Sequence, residues 1–253
     1  MTPQTPSFEI DKLRRPRSLK MSEQIARHIV DFILSNGLTP GTRLPIESEL
    51  CRTLDVGRNT LREAMRLLEA WGAIEIRQGR NGGAVVRYPE PSDLRGPLTV
   101  QLLFAGATLR DILQVRLLFE PETAALAAAH MGQAELDLLD ESVARMRAGG
   151  AGHNEFLEEN RLFHSTIAAN TGVVVFQSFI ESIEAVFDGS TQGVAYSNKR
   201  RGAVADAHAR IAKAIRLGDG DKAREEMRAH IDEAGCYWAR NRAAMEKKLS
   251  WPE

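Results

Sequence analysis

The sequence predicts a mainly α-helical protein of two domains, and three observations support this. Apolar residues recur every three or four positions through most of the 253-residue chain, which is the spacing of helices that pack against a core. An alternating pattern typical of strands occurs near residues 74–86. A segment with three prolines and a glycine, residues 88–97, separates the part that contains this pattern from the rest.

The first domain, which we assign to residues 20–88, is expected to contain three helices. Ser22 is a favourable N-cap for the first helix. Two further helices are expected at about 47–54 and 58–71, where apolar residues lie at helical spacing. The strand pattern that follows turns back at residues 78–83, which are rich in glycine. Three helices followed by a hairpin describe a winged helix-turn-helix.

Composition sets the remaining boundaries. Residues 1–19 are polar and lack periodicity, so we expect a flexible basic arm. We assign residues 89–98 to a linker because of their prolines. Residues 99–248 are expected to be helical throughout, and Thr108 and Asp111 have the spacing of a capping box at the head of one helix. This part of the chain is expected to form an antiparallel helical bundle.

The distribution of charge is more informative than its sum. The net charge is −1, but residues 1–90 hold 14 basic and 11 acidic side chains, and residues 91–253 hold 19 and 23. A positive first part on a negative body is typical of a nucleic-acid-binding module. No apolar run is long enough for a membrane helix, and the N-terminus does not resemble a secretory signal. Cys51 and Cys236 are predicted to be reduced thiols of a cytoplasmic protein.

The third helix of the first domain carries a basic stripe. Arg58, Arg62 and Arg66 are spaced four residues apart, so they share one face of the helix. Such a stripe is often only a solvated surface. In a helix-turn-helix, however, the second helix of the motif enters the major groove of DNA. Arginine suits guanine, and Asn59 and Thr60 at the helix start could reach adenine or phosphate.

Residues 41–86 resemble the winged helix-turn-helix of GntR-type bacterial transcriptional regulators. The matching residues are Leu44-Pro45, Glu47, Glu49-Leu50, Val56-x-Arg58, Arg62-Glu63-Ala64 and Leu68-Glu69-x-x-Gly72. The resemblance implies that Arg58 and Arg62 are the main contacts with double-stranded operator DNA and that Thr60 is at a contacting position. It also implies that Gly79 at the wing tip approaches the minor groove, and Arg80 beside it adds positive charge.

Three positions depart from the family pattern. Gly57 replaces the usual serine or threonine before the first arginine, and Ile46 replaces the serine before Glu47. Ile46 removes a cap from the short second helix, whereas Gly57 is still an acceptable N-cap but lacks a hydroxyl that could hold a phosphate. Ser48 stands where many relatives carry an arginine that contacts DNA, and we retain it as a candidate contact.

The histidines of the second domain indicate a buried site. Asn160 and His164 lie one turn apart on a predicted helix face that also carries apolar residues. His208 and His230 lie on the apolar stripes of two other predicted helices. Three converging imidazoles favour a divalent metal ion, zinc or nickel, as their common partner. The alternative is a polar pocket in which the same residues bind a ligand without metal.

This second domain resembles the FCD domain, the effector domain of the FadR subfamily of GntR regulators. The matching pieces are Val115-Arg116, Glu120-Pro121, Asn160-x-x-Phe163-His164, His208-x-x-Ile211, Gly218-Asp219 and Met227-x-x-His230. In metal-binding relatives one aspartate and three histidines hold the ion, and Asn160 stands at the aspartate position. The carbonyl oxygen of Asn160 could still bind the ion, but the side chain is neutral.

Arg116 is the remaining candidate, and its sequence context allows two interpretations. It could form a salt bridge with Glu120, four residues further along the same helix. It could instead bind a carboxylate ligand, since a guanidinium matches a carboxylate with two hydrogen bonds. The resemblance implies the second role and therefore a small organic acid as effector.

These features predict a homodimeric repressor, not an enzyme, that reads a pseudo-palindromic operator and responds to a small carboxylate. Two-fold symmetry is expected because each winged domain reads one half-site. Two alternatives stay open. One is a constitutive DNA-binding regulator with a metal-free or vestigial pocket, and the other is a helical metalloenzyme in which the histidines activate water.

Overall fold

The computed structural model describes most of the chain as two compact units. The described residues are 20–79, 82–148, 152–186, 196–240, 245–246 and 248–249. The division between the units falls between Pro89 and Glu90. Arg80 and the predicted arm at residues 1–19 lie outside the described residues. No helix within the described ranges is long and apolar enough to cross a membrane.

The N-terminal unit is the predicted winged helix-turn-helix. Its elements are α1 (Met21–Ser35), α2 (Glu47–Thr53), α3 (Arg58–Ala70), β1 (Ile74–Arg77) and β2 (Gly83–Val86). The two strands pair antiparallel, with Ile74 opposite Val86 and Arg77 opposite Gly83. The mainly α-helical fold with a hairpin after three helices is therefore confirmed.

The core of the N-terminal unit forms where the apolar stripes of α1 and α3 meet the hairpin. Its buried members include Ile25, Ala26, Ile29, Ile33, Leu61, Ala64, Leu68, Ile74 and Val86. The start of α1 differs from the prediction. Lys20 occupies the N-cap position without a capping side chain, and Ser22 is buried in the first turn instead of capping it.

The C-terminal unit is a bundle of helices within its described residues. It begins with a 3-10 helix (Pro91–Leu94) and continues with α4 (Arg95–Ala105), α5 (Leu109–His130), α6 (Gln133–Arg147), α7 (His153–Ala169), α8 (Val174–Val186), α9 (Asn198–Arg216) and α10 (Gly220–Ala239). The predicted capping box at the start of α5 is present. The backbone N–H of Thr108 donates to Asp111 Oδ2 at 2.7 Å, and the N–H of Asp111 donates to Thr108 Oγ1 at 3.4 Å.

The segment that we expected to be a linker, residues 89–98, is largely helical. Pro91 is the first residue of the 3-10 helix, and the N–H of Glu90 donates to Asp93 Oδ2 at 2.8 Å. The 3-10 helix and α4 both pack against α8. Proline lacks a backbone N–H, and the first residue of a helix does not need one, so a proline can begin a helix as well as interrupt one.

The central contact of the C-terminal unit is between α5 and α10, which also packs against α9. Phe163, Ile211, Met227 and Ile231 are fully buried in the core between these helices and α7. Gly235 in α10 lies close to α5. A Cβ atom at this position would be 2.6 Å from Leu113 Cδ2, so the glycine leaves room for the Leu113 side chain of α5.

Candidate nucleic-acid interface and metal centre

The exposed face of α3 carries the predicted DNA-reading residues. Arg58, Asn59 and Arg62 are exposed on this helix, and Thr60 is half-buried. Ser48 is exposed on α2. Gly57 caps α3 with an extended backbone and no side-chain hydrogen bond. The first N–H groups of α3 are therefore not occupied by a capping side chain, and such groups can bind a phosphate.

The basic stripe on α3 lies opposite the buried side of the helix. Leu61, Ala64 and Leu68 are fully buried, so the arginines between them face solvent. Within the described residues, Arg58 and Arg66 form no ion pair. Arg62 differs from them, because its Nε donates to Glu47 Oε1 at 3.0 Å and to Glu47 Oε2 at 3.2 Å.

The wing is shaped by glycines. Gly79 has a φ of +103°, which L side chains rarely adopt. Gly82 is required for a different reason, because a Cβ atom there would be 2.3 Å from the carbonyl oxygen of Arg77. The N–H of Gly82 donates to the carbonyl of Gly79 at 2.8 Å. Arg77 at the end of β1 pairs with Glu75 at 3.2 Å.

The three predicted histidines meet in the core of the C-terminal unit. His164 of α7, His208 of α9 and His230 of α10 are all buried, and one nitrogen of each lies within 4.8 Å of the others. Nε2 of His230 lies 3.3 Å from Nε2 of His164 and 3.3 Å from Nε2 of His208. We call these three residues the histidine cluster.

Two of the three nitrogen–nitrogen distances in the histidine cluster match a tetrahedral metal site. Two imidazole nitrogens bound tetrahedrally at about 2.05 Å from zinc lie about 3.3 Å apart. Both Nε2 distances to His230 have this value. Hydrogen bonding alone fits less well, because a single imidazole nitrogen either donates or accepts. If Nε2 of His230 donates to one neighbour, it does not also accept from the other.

Glu120 of α5 contacts the histidine cluster through the Nδ1 side of His164. Its Oε2 lies 2.9 Å from Nδ1 of His164, and both side chains are buried. A carboxylate this close to Nδ1 favours the tautomer that carries its proton on Nδ1, which leaves the Nε2 lone pair for a metal ion. The sequence had suggested Glu120 only as a partner of Arg116, because its contact with His164 joins two different helices.

Arg116 forms the salt bridge with Glu120, one of the two arrangements that the sequence allowed. Its Nε donates to Glu120 Oε1, and its Nη2 donates to Oε2 at 3.1 Å. Nη2 also lies 3.5 Å from Nε2 of His164, so the guanidinium reaches the edge of the histidine cluster. Burial alone would raise the pKa of the Glu120 carboxyl, but the charges and hydrogen bonds of Arg116 and His164 hold that pKa below its ordinary value.

Burial favours the neutral form of the three imidazoles, which is the form that binds metals. Burial lowers the pKa of His164, an effect that Glu120 opposes. Burial and the neighbouring charges lower the pKa values of His208 and His230 well below the usual range. A neutral imidazole offers a lone pair to a metal ion, whereas a protonated one does not. The nitrogen donors, their spacing and their protonation state therefore fit a divalent ion.

Asn160 lies on α7 one turn before His164 and is half-buried. Residues four apart on a helix project from the same side, so the amide belongs to the face of α7 that carries His164. The donor set of this site is thus three neutral imidazoles with a neutral amide one turn away.

A winged helix-turn-helix with an exposed basic recognition helix defines a DNA-binding transcriptional regulator, and the second unit adds a buried polar centre. Comparison with known proteins agrees with this class. The family model described as "Bacterial regulatory proteins, gntR family" matches residues 21–85, and the "FCD domain" model matches residues 111–233. The chain belongs to the GntR family of bacterial transcriptional regulators and carries an FCD domain.

Individual relatives cover most of the chain. The Glc operon transcriptional activator of Escherichia coli K12 is 32% identical over 211 residues, which are 80% of this chain and 81% of that protein. The HTH-type transcriptional regulator LutR of Bacillus subtilis is 26% identical over 79% of this chain and 93% of its own length. The solved structure "Streptococcus agalactiae GntR" has a TM-score of 0.62 and 30% identity, and it covers 84% of this chain and 98% of that one.

A further relative carries the name of a repressor. The HTH-type transcriptional repressor NanR of Edwardsiella tarda is 25% identical over 87% of this chain and 85% of its own length. The matched families and named relatives are transcriptional regulators and not enzymes, as the sequence predicts.

Proposed function

We propose that the protein is a repressor that binds pseudo-palindromic operator DNA as a homodimer and changes its operator affinity when a small organic acid binds in the C-terminal unit. The histidine cluster is the observation that carries the sensing part of this proposal. Dimerisation is expected from the way such proteins bind DNA, because two winged units related by a two-fold axis match the two half-sites of a palindrome.

His164, His208 and His230 would hold the divalent ion, zinc or nickel, and the carbonyl oxygen of Asn160 would be a further ligand. A bound ion supplies positive charge and open coordination positions that attract a carboxylate. Because the four protein ligands are neutral, no ligand charge offsets that of the ion. A neutral donor set therefore favours an anionic effector over a neutral one.

Arg116 is proposed to contact the effector at the edge of the histidine cluster. Its Nη2 is within 3.5 Å of His164 Nε2, so a carboxylate bound at the cluster would lie near the guanidinium. Glu120 would keep that guanidinium in place through its two hydrogen bonds. Effector and operator affinities must then be coupled reciprocally, so that each ligand weakens the other by the same factor.

The proposal is tested by metal analysis and by DNA binding of the purified full chain. We expect about one equivalent of zinc or nickel per chain, lost on chelation and in His164→Ala, His208→Ala and His230→Ala. A duplex selected by the wild-type protein from a randomised library supplies the operator. Titration with two- to four-carbon hydroxy acids and dicarboxylic acids should weaken binding of that duplex for at least one acid. If the acids that bind the protein leave DNA affinity unchanged, the sensing role is wrong.

The second candidate is a constitutive regulator with a metal-free pocket, and Asn160 at the aspartate position favours it. A neutral amide attracts a cation less than a carboxylate does. This candidate predicts metal-free protein and unchanged DNA binding in the three histidine variants. A reporter gene behind the selected duplex separates repression from activation, since the relatives include an activator and a repressor by name.

A further inference from the structure

The contact between Arg62 and Glu47 uses only one donor of the guanidinium. Both carboxylate oxygens of Glu47 accept from Nε of Arg62, at 3.0 and 3.2 Å. A guanidinium also carries two Nη groups with two N–H bonds each. These groups lie on the edge away from Nε, and bidentate contact with N7 and O6 of guanine requires a pair of parallel donors.

We propose that Glu47 is a positioning residue that fixes the guanidinium of Arg62 so that its Nη edge can read a guanine. The proposal rests on the proposed binding of operator DNA and on Arg62 being a base contact there, as the family resemblance implies. Glu47 begins α2 and Arg62 lies in the second turn of α3, so the contact links the two helices of the DNA-binding motif. A free arginine side chain has many rotamers, and ordering one before DNA binds reduces the entropy lost in the complex.

The location of Glu47 argues against a role in folding alone. The Arg62 and Glu47 side chains are 60% and 40% exposed, and an exposed ion pair contributes little to stability. A carboxylate beside a recognition helix also repels phosphates, so it weakens sequence-independent binding. Glu47 should therefore have two opposite effects. It should improve discrimination between bases and should lower the total affinity for DNA.

The neighbouring arginines supply the contrast within the same stripe. Arg58 and Arg66 form no ion pair within the described part of the chain. They are exposed cations. Their side chains can rearrange when DNA binds and then contact either a phosphate or a base. Of the three, Arg62 alone has a described carboxylate partner, and that partner comes from the other helix of the motif.

The test compares Glu47→Ala with Glu49→Ala in the full chain. Both glutamates lie in the first turn of α2, so the two variants lose the same charge and the same interaction with the helix dipole. Glu49 is exposed and has no described ion pair, so its loss changes only bulk charge. Fluorescence anisotropy is measured on the selected duplex, on single-base variants of it and on a scrambled duplex.

We expect Glu47→Ala to lower the ratio of selected to scrambled affinity about five- to tenfold, which is within the discrimination that one bidentate contact supplies. The loss should fall on the same guanine that Arg62→Ala ceases to read. Affinity for the scrambled duplex should stay equal or rise in both glutamate variants. Glu47→Gln, which keeps an acceptor oxygen, should restore part of the ratio.

Equal ratios for Glu47→Ala and Glu49→Ala, with a normal loss in Arg62→Ala, would overturn the positioning role and leave the base contact intact. If Arg62→Ala itself discriminates as well as wild type, the base contact is wrong and the positioning role fails with it. Circular dichroism melting of each variant separates these outcomes from a folding defect, since a misfolded unit also loses affinity for the scrambled duplex.

Discussion

The two units of this regulator use the same pair of residue types in opposite environments. In the N-terminal unit Arg62 and Glu47 meet at the surface, where their side chains are 60% and 40% exposed. In the C-terminal unit Arg116 and Glu120 meet in the interior, where the values are 12% and 2%. Water screens the first pair and is largely absent from the second.

The difference shows that an arginine–glutamate pair has no fixed role. At the surface the pair is weak, so it can orient a side chain and still release it to a ligand. In the interior each charge depends on the other, because an unpaired buried charge is costly. The buried pair is therefore a fixed support for the histidine cluster, whereas the exposed pair can rearrange when DNA binds.

Breaking the buried pair should have the largest effect on stability. Glu120→Ala removes the carboxylate that accepts two hydrogen bonds from the buried guanidinium of Arg116, so we expect the free energy of unfolding to fall by about 3–5 kcal/mol. The matched control is Glu122→Ala. Glu122 lies on α5 like Glu120, but its ion pair with Arg224 is exposed. Urea denaturation followed by circular dichroism compares the two. Equal losses of unfolding free energy in the two variants would mean that water screens the interior pair to the same extent as the surface pair.

Replacing the buried carboxylate by its amide should weaken metal binding without removing a ligand. Glu120→Gln alters the support of His164 Nδ1, and loss of such support typically costs about 10–100-fold in metal affinity. Competition titration with a chromogenic chelator measures this change. Glu122→Gln should bind metal like the wild type. An unchanged affinity in Glu120→Gln would show that Glu120 does not orient His164.

Removing a recognition arginine should act on DNA affinity and not on the metal. Arg62→Ala or Arg58→Ala should cost about 1–3 kcal/mol of binding free energy on the selected duplex if the residue contacts a base. Metal content should stay at the wild-type value, because neither residue belongs to the C-terminal unit. Fluorescence anisotropy and elemental analysis of the same preparations check both statements. Full DNA affinity in both variants contradicts the recognition-helix assignment.

The smallest expected effect is on stability when the exposed pair is broken. Glu47→Ala should lower the free energy of unfolding by less than about 1 kcal/mol, the range of surface ion pairs. The measurement is the same urea denaturation, with Glu49→Ala as reference. A loss as large as that of Glu120→Ala would show that the contact holds α2 and α3 together, and would assign Glu47 to folding.

Local sequence patterns predicted the N-terminal unit well. The apolar spacing of α3, the alternation of apolar residues in β1 and β2 and the glycines between the strands are all properties of short segments, so they can be recognised in the sequence. The pattern failed at residues 89–98 because prolines both break and begin helices. It also missed the surroundings of Glu47, whose partner Arg62 is 15 residues away on the next helix.

The histidine cluster could be predicted only in part. Each histidine lies on an apolar helix face, which predicted that the imidazoles are buried and converge. The contact between Glu120 and His164 could not be inferred, because it depends on how α5 and α7 are aligned. The sequence likewise left two roles for Arg116, and only the packing shows that its guanidinium is bonded to Glu120.

Gly235 gives α10 a dependence on its neighbour. Glycine within a helix lowers helix stability by about 1 kcal/mol relative to alanine, yet here it allows α10 to lie close to Leu113 of α5. At this position, therefore, packing against α5 and not helix propensity favours the glycine in the helix that carries His230. Local unfolding of α10 should disrupt its contact with α5, so the two helices would lose protection against amide hydrogen exchange as one cooperative unit.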